Sequence, residues 1–169
     1  MKVDIQETDE EEIIEEIQTL CEKREFAKLK NLLSEMNPAD IASVLDEVSA
    51  NQRLLMFRLL AKEEAAETFV ELDSDNQESL IHAFSDSELK EVLDELYLDD
   101  AVDVIEEMPA TVVKRILRNA DSETRESINT LLKYPEDSAG SIMTPEFVDL
   151  KKDMSVEAAF KRIRRTGID

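Results

Sequence analysis

The sequence predicts an all-α fold, a right-handed superhelix of short antiparallel helices, followed by the opening of a small α/β unit. Three observations carry this. Apolar residues recur on a twelve-residue beat from position 28 to 132. Polar residues suited to helix caps fall between the beats. Only two glycines and four prolines punctuate 169 residues, and there is no Trp. The apolar stock is therefore mostly Leu, Ile, Val, Met and Ala, which suits helices.

The first element is a longer helix. Thr8-x-x-Glu11 reads as a capping box, and Ile13, Ile14, Ile17, Leu20 and Cys21 then fall on one face. Nine units follow, starting at 28, 40, 52, 64, 76, 88, 100, 112 and 124. Their ninth positions are Met36, Val48, Leu60, Leu72, Phe84, Leu96, Met108, Ala120 and Leu132, all apolar. The adjacent fifth and sixth positions run from Leu32-Leu33 to Ile116-Leu117, broken only at Thr68 and, in Ile128-Asn129, at Asn129.

One continuous helix cannot carry this pattern. At about 100° per residue, twelve residues overshoot three turns by about 120°, so the apolar stripe would swing to a new side in every unit. Each unit is therefore a short helix and a tight turn, stacked on its neighbours into an armadillo-like solenoid. Breaks are expected near 49–51, 61–63, 73–75, 85–87, 97–99, 109–111 and 121–123. Ser49, Asp73, Ser85, Asp99 and Asp121 are the expected caps, and Asn37-Pro38 is a cap followed by proline at the first helical position.

Composition narrows the function. Forty-one acids against 20 bases give a formal charge of −21, which repels nucleic-acid phosphate and anionic lipid. Cys21 is the lone cysteine, so there is no disulfide framework, and an intracellular setting fits. No apolar run approaches the ~18 residues of a membrane span, and the acidic N-terminus is not a signal peptide. His82 is the single histidine; it reads as a surface or half-buried helix residue. Histidine metal clusters are thereby excluded, and a lone surface histidine gives Ser–His–Asp catalysis no support. Gly140 and Gly167 alone cannot build a phosphate loop. No enzymatic constellation is present.

Acids remain. Between Glu91 and Val113 there is no Lys or Arg, while Glu91, Asp94, Glu95, Asp99, Asp100, Asp103, Glu106 and Glu107 share that window. Asp99 and Asp103, four apart, lie on one helix face, where like charges are mutually unfavourable. A metal held there would be a hard cation, Mg2+ or Ca2+, bound weakly through water. The EF-hand spacing, with its glycine, is absent. A solvated acidic face is the plainer alternative.

Punctuation gathers at one boundary. Tyr134 to Val148 reads Y-P-E-D-S-A-G-S-I-M-T-P-E-F-V and holds Gly140, Pro135 and Pro145. With L-x-L-D-D-A-x-D at Leu96 to Asp103, it closely resembles the cytosolic N-terminal region of MgtE-type magnesium transporters, over nearly the whole chain. The resemblance implies an N domain over 1–133, a connector over 134–144 and the start of a CBS domain over 145–169. Glu146 to Leu150 would be the opening CBS strand, and Ser155 would cap a helix burying Val156, Ala159, Phe160 and Ile163. A second CBS domain and a membrane pore would follow, in a homodimer, so the chain is expected to be part of a longer protein.

The resemblance also implies Mg2+ ligands at Glu67, Asp99 and Asp103, facing the CBS domains of the same protein. Glu67 and Asp103 hold the same fourth position in their units. The implied function is Mg2+ sensing at the cytoplasmic face of a multi-pass membrane protein, with pore closure when Mg2+ is high. The rival reading is an acidic helical-repeat scaffold for a basic protein partner.

Overall fold

A computed structural model gives the fold and describes residues 7–135 and 138–166. After α1 (Glu7–Glu22) come nine helices in strict register: α2 (Phe26–Glu35), α3 (Pro38–Glu47), α4 (Ala50–Phe57), α5 (Lys62–Glu71), α6 (Ser74–Ala83), α7 (Asp86–Glu95), α8 (Leu98–Glu107), α9 (Ala110–Asn119) and α10 (Ser122–Leu131). Each starts twelve residues after the last. α11 (Val156–Thr166) closes the described chain.

The breaks fall one or two residues earlier than expected, and the reason is local. Met36, Val48, Leu72, Phe84, Leu96, Met108 and Ala120, the ninth-position residues, are themselves extended C-caps. Each of these links is thus an apolar anchor followed by one N-cap residue, whereas α4 and α5 are joined through 58–61 with Arg58 still helical. Asn37, Ser85 and Asp121 cap with their side chains, and Ser49 pairs with Gln52. Asp73 heads α6 without a side-chain cap bond. Asp99 is not a cap: Tyr97 holds that position and offers none, leaving Asp99 in the first turn of α8. Thr8 is not a cap either, because α1 is already helical at Glu7; its side chain lies outside the described residues.

Packing skips a helix. α3 lies on α5, α5 on α7 and α7 on α9, while α4 lies on α6 and α8 on α10. The fifth and sixth positions of the units feed one continuous core. Val44, Leu45, Met56, Phe69, Leu80, Ile81, Ile116 and Ile128 are all essentially sealed from solvent. Phe57 meets Phe69 edge-on at 6.2 Å and tilts against Phe84 at 5.3 Å. Cys21 packs half-buried against this core, and burial pushes its thiol pKa up.

Thr68 breaks the fifth-position rule and is fully buried, with its Oγ1 making no hydrogen bond. An unpaired buried hydroxyl costs about 1–3 kcal/mol. Thr68→Val is therefore expected to stabilise the chain by about 1 kcal/mol in a denaturant melt.

A second rule escaped the apolar pattern. Arg53 is 6% exposed, and its guanidinium donates to the Leu45 carbonyl at 2.7 Å and the Val48 carbonyl at 3.1 Å. Arg125 repeats the same offsets on Leu117 at 2.6 Å and Ala120 at 2.8 Å. Gln77, also buried, donates to the Phe69 carbonyl at 2.9 Å. In α4, α6 and α10 the fourth residue thus donates to the carbonyls at the end of the helix before it.

Glu88 closes a capping box with Ser85 and also accepts from Arg58, 30 residues away, at 2.7 Å. The Arg58 bond, with the Ser85 amide next, holds its carboxyl pKa down at about 2. A depressed folded pKa contributes stability above the ordinary value of 4.5 that is lost as pH falls toward 2. Because the side chain is 34% exposed, screening limits this to about 1 kcal/mol. Relative to wild type, Glu88→Gln is expected to lose about that much at pH 7 and nothing near pH 2, read from paired thermal melts.

After α10 the chain turns at 138–142, where the Tyr134 ring covers Gly140 so closely that any Cβ there would strike it. Glu146 to Leu150 is not a strand: among the described residues no second extended segment lies beside it to complete a ladder. Ser155 does cap α11, accepting from the Ala158 amide at 3.2 Å. The apolar face of α11 is uncovered, with Val156 73%, Phe160 53% and Ile163 37% exposed.

Candidate metal centre

The small residues of α5 decide where the acids go. Ala65, Ala66, Thr68 and Phe69 turn into the core, which leaves Glu63, Glu67 and Glu71 as an i, i+4, i+8 stripe on the other side. That stripe faces a groove of about 770 Å³ between the start of α3, α5, the end of α7 and the start of α8. Seven carboxylates line it: Glu63, Glu67, Glu71, Asp94, Glu95, Asp100 and Glu146. No Lys or Arg does. A neighbouring cavity of about 310 Å³ carries Asp73, Asp100, Asp103 and Glu107, again without a base.

The three residues expected as ligands are not brought to one point. Glu67 lines the first cavity and is exposed; Asp103 lines the second and is exposed. Asp99 lines neither. It is half-buried on α8, and its Oδ1 is enclosed without a hydrogen-bond partner. Among the described residues no three His, Cys, Asp or Glu side chains converge as a ready-made cage.

Asp100 joins the two cavities, and it was missed as a site residue. Burial, followed by the charges of Asp99, Asp103, Glu146 and Glu71, pushes its carboxyl pKa up. The signal lay in the register: Asp100 stands third in its helix, where Gln52 and Glu88 bond back to hydroxyl caps. Tyr97 has no such hydroxyl beside the first turn, so Asp100 turns to the groove. His82, by contrast, is exposed and meets only Glu78, at 3.3 Å.

Glu146 comes from the segment after α10. Its Oε2 accepts from the Leu98 backbone amide at 2.7 Å, across 48 residues. The uncapped start of α8 thus receives its carboxylate from the tail, at the end of the helix that favours negative charge.

Fold and groove together define a helical-repeat domain with an acid-lined, base-free face. Residues 36–137 match the MgtE intracellular N domain, and the chain belongs to that family. It is 32% identical over 164 residues to the magnesium transporter MgtE of Thermus thermophilus, covering 95% of this chain and 36% of that protein. It is 21% identical over 154 residues to the magnesium transporter MgtE of Bacillus subtilis, covering 91% and 34%. The chain therefore spans about a third of these relatives, both named as magnesium transporters.

Among solved structures it resembles the cytosolic domain of the Mg2+ channel MgtE in complex with ATP. The TM-score is 0.77 at 31% identity, over 89% of this chain and 62% of that one. The soluble part of a magnesium transporter also superposes with a TM-score of 0.77, over 93% and 62%; at 22% identity it bears on the fold alone. Among the described residues, no helix is long and apolar enough to cross a membrane.

Proposed function

We propose that this chain is the Mg2+-sensing cytosolic region of a magnesium transporter or channel, with the acid-lined groove as the sensing surface. The observation that carries it is the pair of base-free cavities joined at Asp100. Asp100, crowded by like charge, and the enclosed, unpartnered Oδ1 of Asp99 fit a hard cation. A hard cation such as Mg2+ keeps most of its waters and needs only one or two carboxylates.

Glu67, Asp99 and Asp103 would hold hydrated Mg2+, with Asp100 between them. Bound Mg2+ supplies charge neutralisation. Without it, the carboxylates of this face repel one another and any acidic surface brought against them. With their charge offset, the face can close on a second acidic surface, which we assign to CBS domains of the same protein.

On this reading, residues 1–133 form the sensing domain, 134–144 connect, and 145–169 begin the first CBS domain, whose remaining core would cover the open face of α11. The complete protein is a homodimer at the cell membrane, its pore closing as cytosolic Mg2+ rises. The relative named as a magnesium channel and the relatives named as transporters support that setting.

The test is Mg2+ titration of protease protection in the complete cytosolic region. Asp99→Ala with Asp103→Ala is expected to raise the protecting Mg2+ concentration by about tenfold, the scale of one lost cation interaction. The fold should be unchanged, since Asp103 is exposed, the enclosed Asp99 Oδ1 makes no hydrogen bond to lose, and removing like charges from one helix face relieves repulsion. Protection at the wild-type concentration would reduce these aspartates to a solvated face.

A further inference from the structure

We infer that Glu146 is a positioning residue: a charge-sensitive anchor that pins the segment after α10 to the first amide of α8, at the mouth of the acid groove. Three observations converge on it. The link ahead of α8 offers no side-chain cap of its own, because Tyr97 stands where Asn37, Ser85 and Asp121 cap their helices. The missing acceptor is Glu146, whose Oε2 lies 2.7 Å from the Leu98 nitrogen.

The tail is also shaped to deliver it. The Thr144 hydroxyl accepts from the Glu146 amide at 3.3 Å, and the Phe147 amide bonds back to the Pro145 carbonyl at 3.2 Å. The turn at 144–147 thereby presents the carboxylate.

The anchor works against its surroundings. A first-turn amide and the positive end of α8 attract the carboxylate. Asp100 lines the same groove and repels it, and Asp100 is itself crowded by the charges of Asp99, Asp103 and Glu71. The seat is therefore held by one strong local bond and opposed by a diffuse like-charge field. More negative charge in the groove loosens the tail; less tightens it. This gives the connector a position that depends on the charge state of the surface it crosses. The inference goes beyond Mg2+ sensing and does not need it, because anchor and opposing field are both made by the chain's own residues.

Amide hydrogen exchange at Leu98, in metal-free low-salt buffer on the 169-residue chain, reads the anchor directly. Lys62 is the internal reference: it is the first residue of α5, behind Ala61, which provides no side-chain cap. Leu98 is expected to exchange about tenfold more slowly than Lys62, after correction for intrinsic rates, the scale of one charge-assisted hydrogen bond. Glu146→Ala should bring Leu98 to the Lys62 level and speed proteolysis between Lys133 and Lys152. Glu146→Gln, which keeps an acceptor oxygen, should restore part of the protection. Asp100→Asn should slow Leu98 further, which an inert structural cap would not do.

Equal exchange at Leu98 and Lys62 in the wild type would overturn the anchor, as would no response to Glu146→Ala. No response to Asp100→Asn would overturn its charge sensitivity. Since no divalent cation is present, failure here is separate from any failure of Mg2+ to bind the groove.

Discussion

Phe69→Ala is expected to destabilise the chain by about 3–4 kcal/mol, the range for emptying a large aromatic from a sealed core. Phe69 is 2% exposed, meets Phe57 edge-on, and sits on α5, the helix packed between α3 and α7. Total stability of a domain this size is about 5–15 kcal/mol, so the loss is a large share of it. The consequence reaches the groove, because the opposite side of α5 carries Glu63, Glu67 and Glu71. Glu67→Ala, at an exposed position, should by contrast stay within about 0.5 kcal/mol of wild type. Chemical denaturation of both variants checks the contrast; equal effects would mean that α5 does not bridge the core.

Arg53→Ala is the second large effect, expected at about 3 kcal/mol. The side chain is almost wholly buried and its guanidinium reaches the Leu45, Asp46 and Val48 carbonyls. Burial pulls its pKa down, partly offset by the charge of Asp46. Removing it leaves the carbonyls ending α3 enclosed without donors, each costing about 1–3 kcal/mol if water cannot reach it. The same change at Arg125, an exposed residue with the same two bonds, should cost about 1 kcal/mol. Thermal melts of the two variants compare a buried arginine with an exposed one that shares two of its three carbonyl bonds.

The arithmetic of the repeat was legible because twelve residues cannot keep one helical face inward, so a chain with that beat must break at every unit. The break positions were shifted because a ninth-position residue such as Leu72 can be apolar, buried and non-helical at once. The carbonyl-tying residues were hidden for a related reason: Arg53 and Gln77 occupy core space while looking polar, and only comparison of alternate units reveals them. Packing partners were not legible, since a hydrophobic face does not say whether it meets the next helix or the one after.

At the site, the base-free window and the L-D-D-A-x-D motif located the acids, while their distribution over two cavities depends on how α5 and α8 meet. Asp100 was passed over because the family resemblance pointed to Asp99 and Asp103, whereas the place of Asp100 between the two cavities shows only in the fold. Glu146 was read as strand, whereas its carboxylate is drawn to a helix start 48 residues away. No local pattern in 144–150 encodes that destination.

The most direct measurement of the groove as a Mg2+ surface is paramagnetic broadening of amide signals when the labelled chain is titrated with Mn2+ and then competed with Mg2+. Signals from residues 63–71 and 97–103 are expected to broaden first and to recover as Mg2+ displaces the paramagnetic ion. Broadening that is as strong at Glu15, Glu16 and Glu22 on α1, or that Mg2+ does not reverse, would contradict a Mg2+-selective groove.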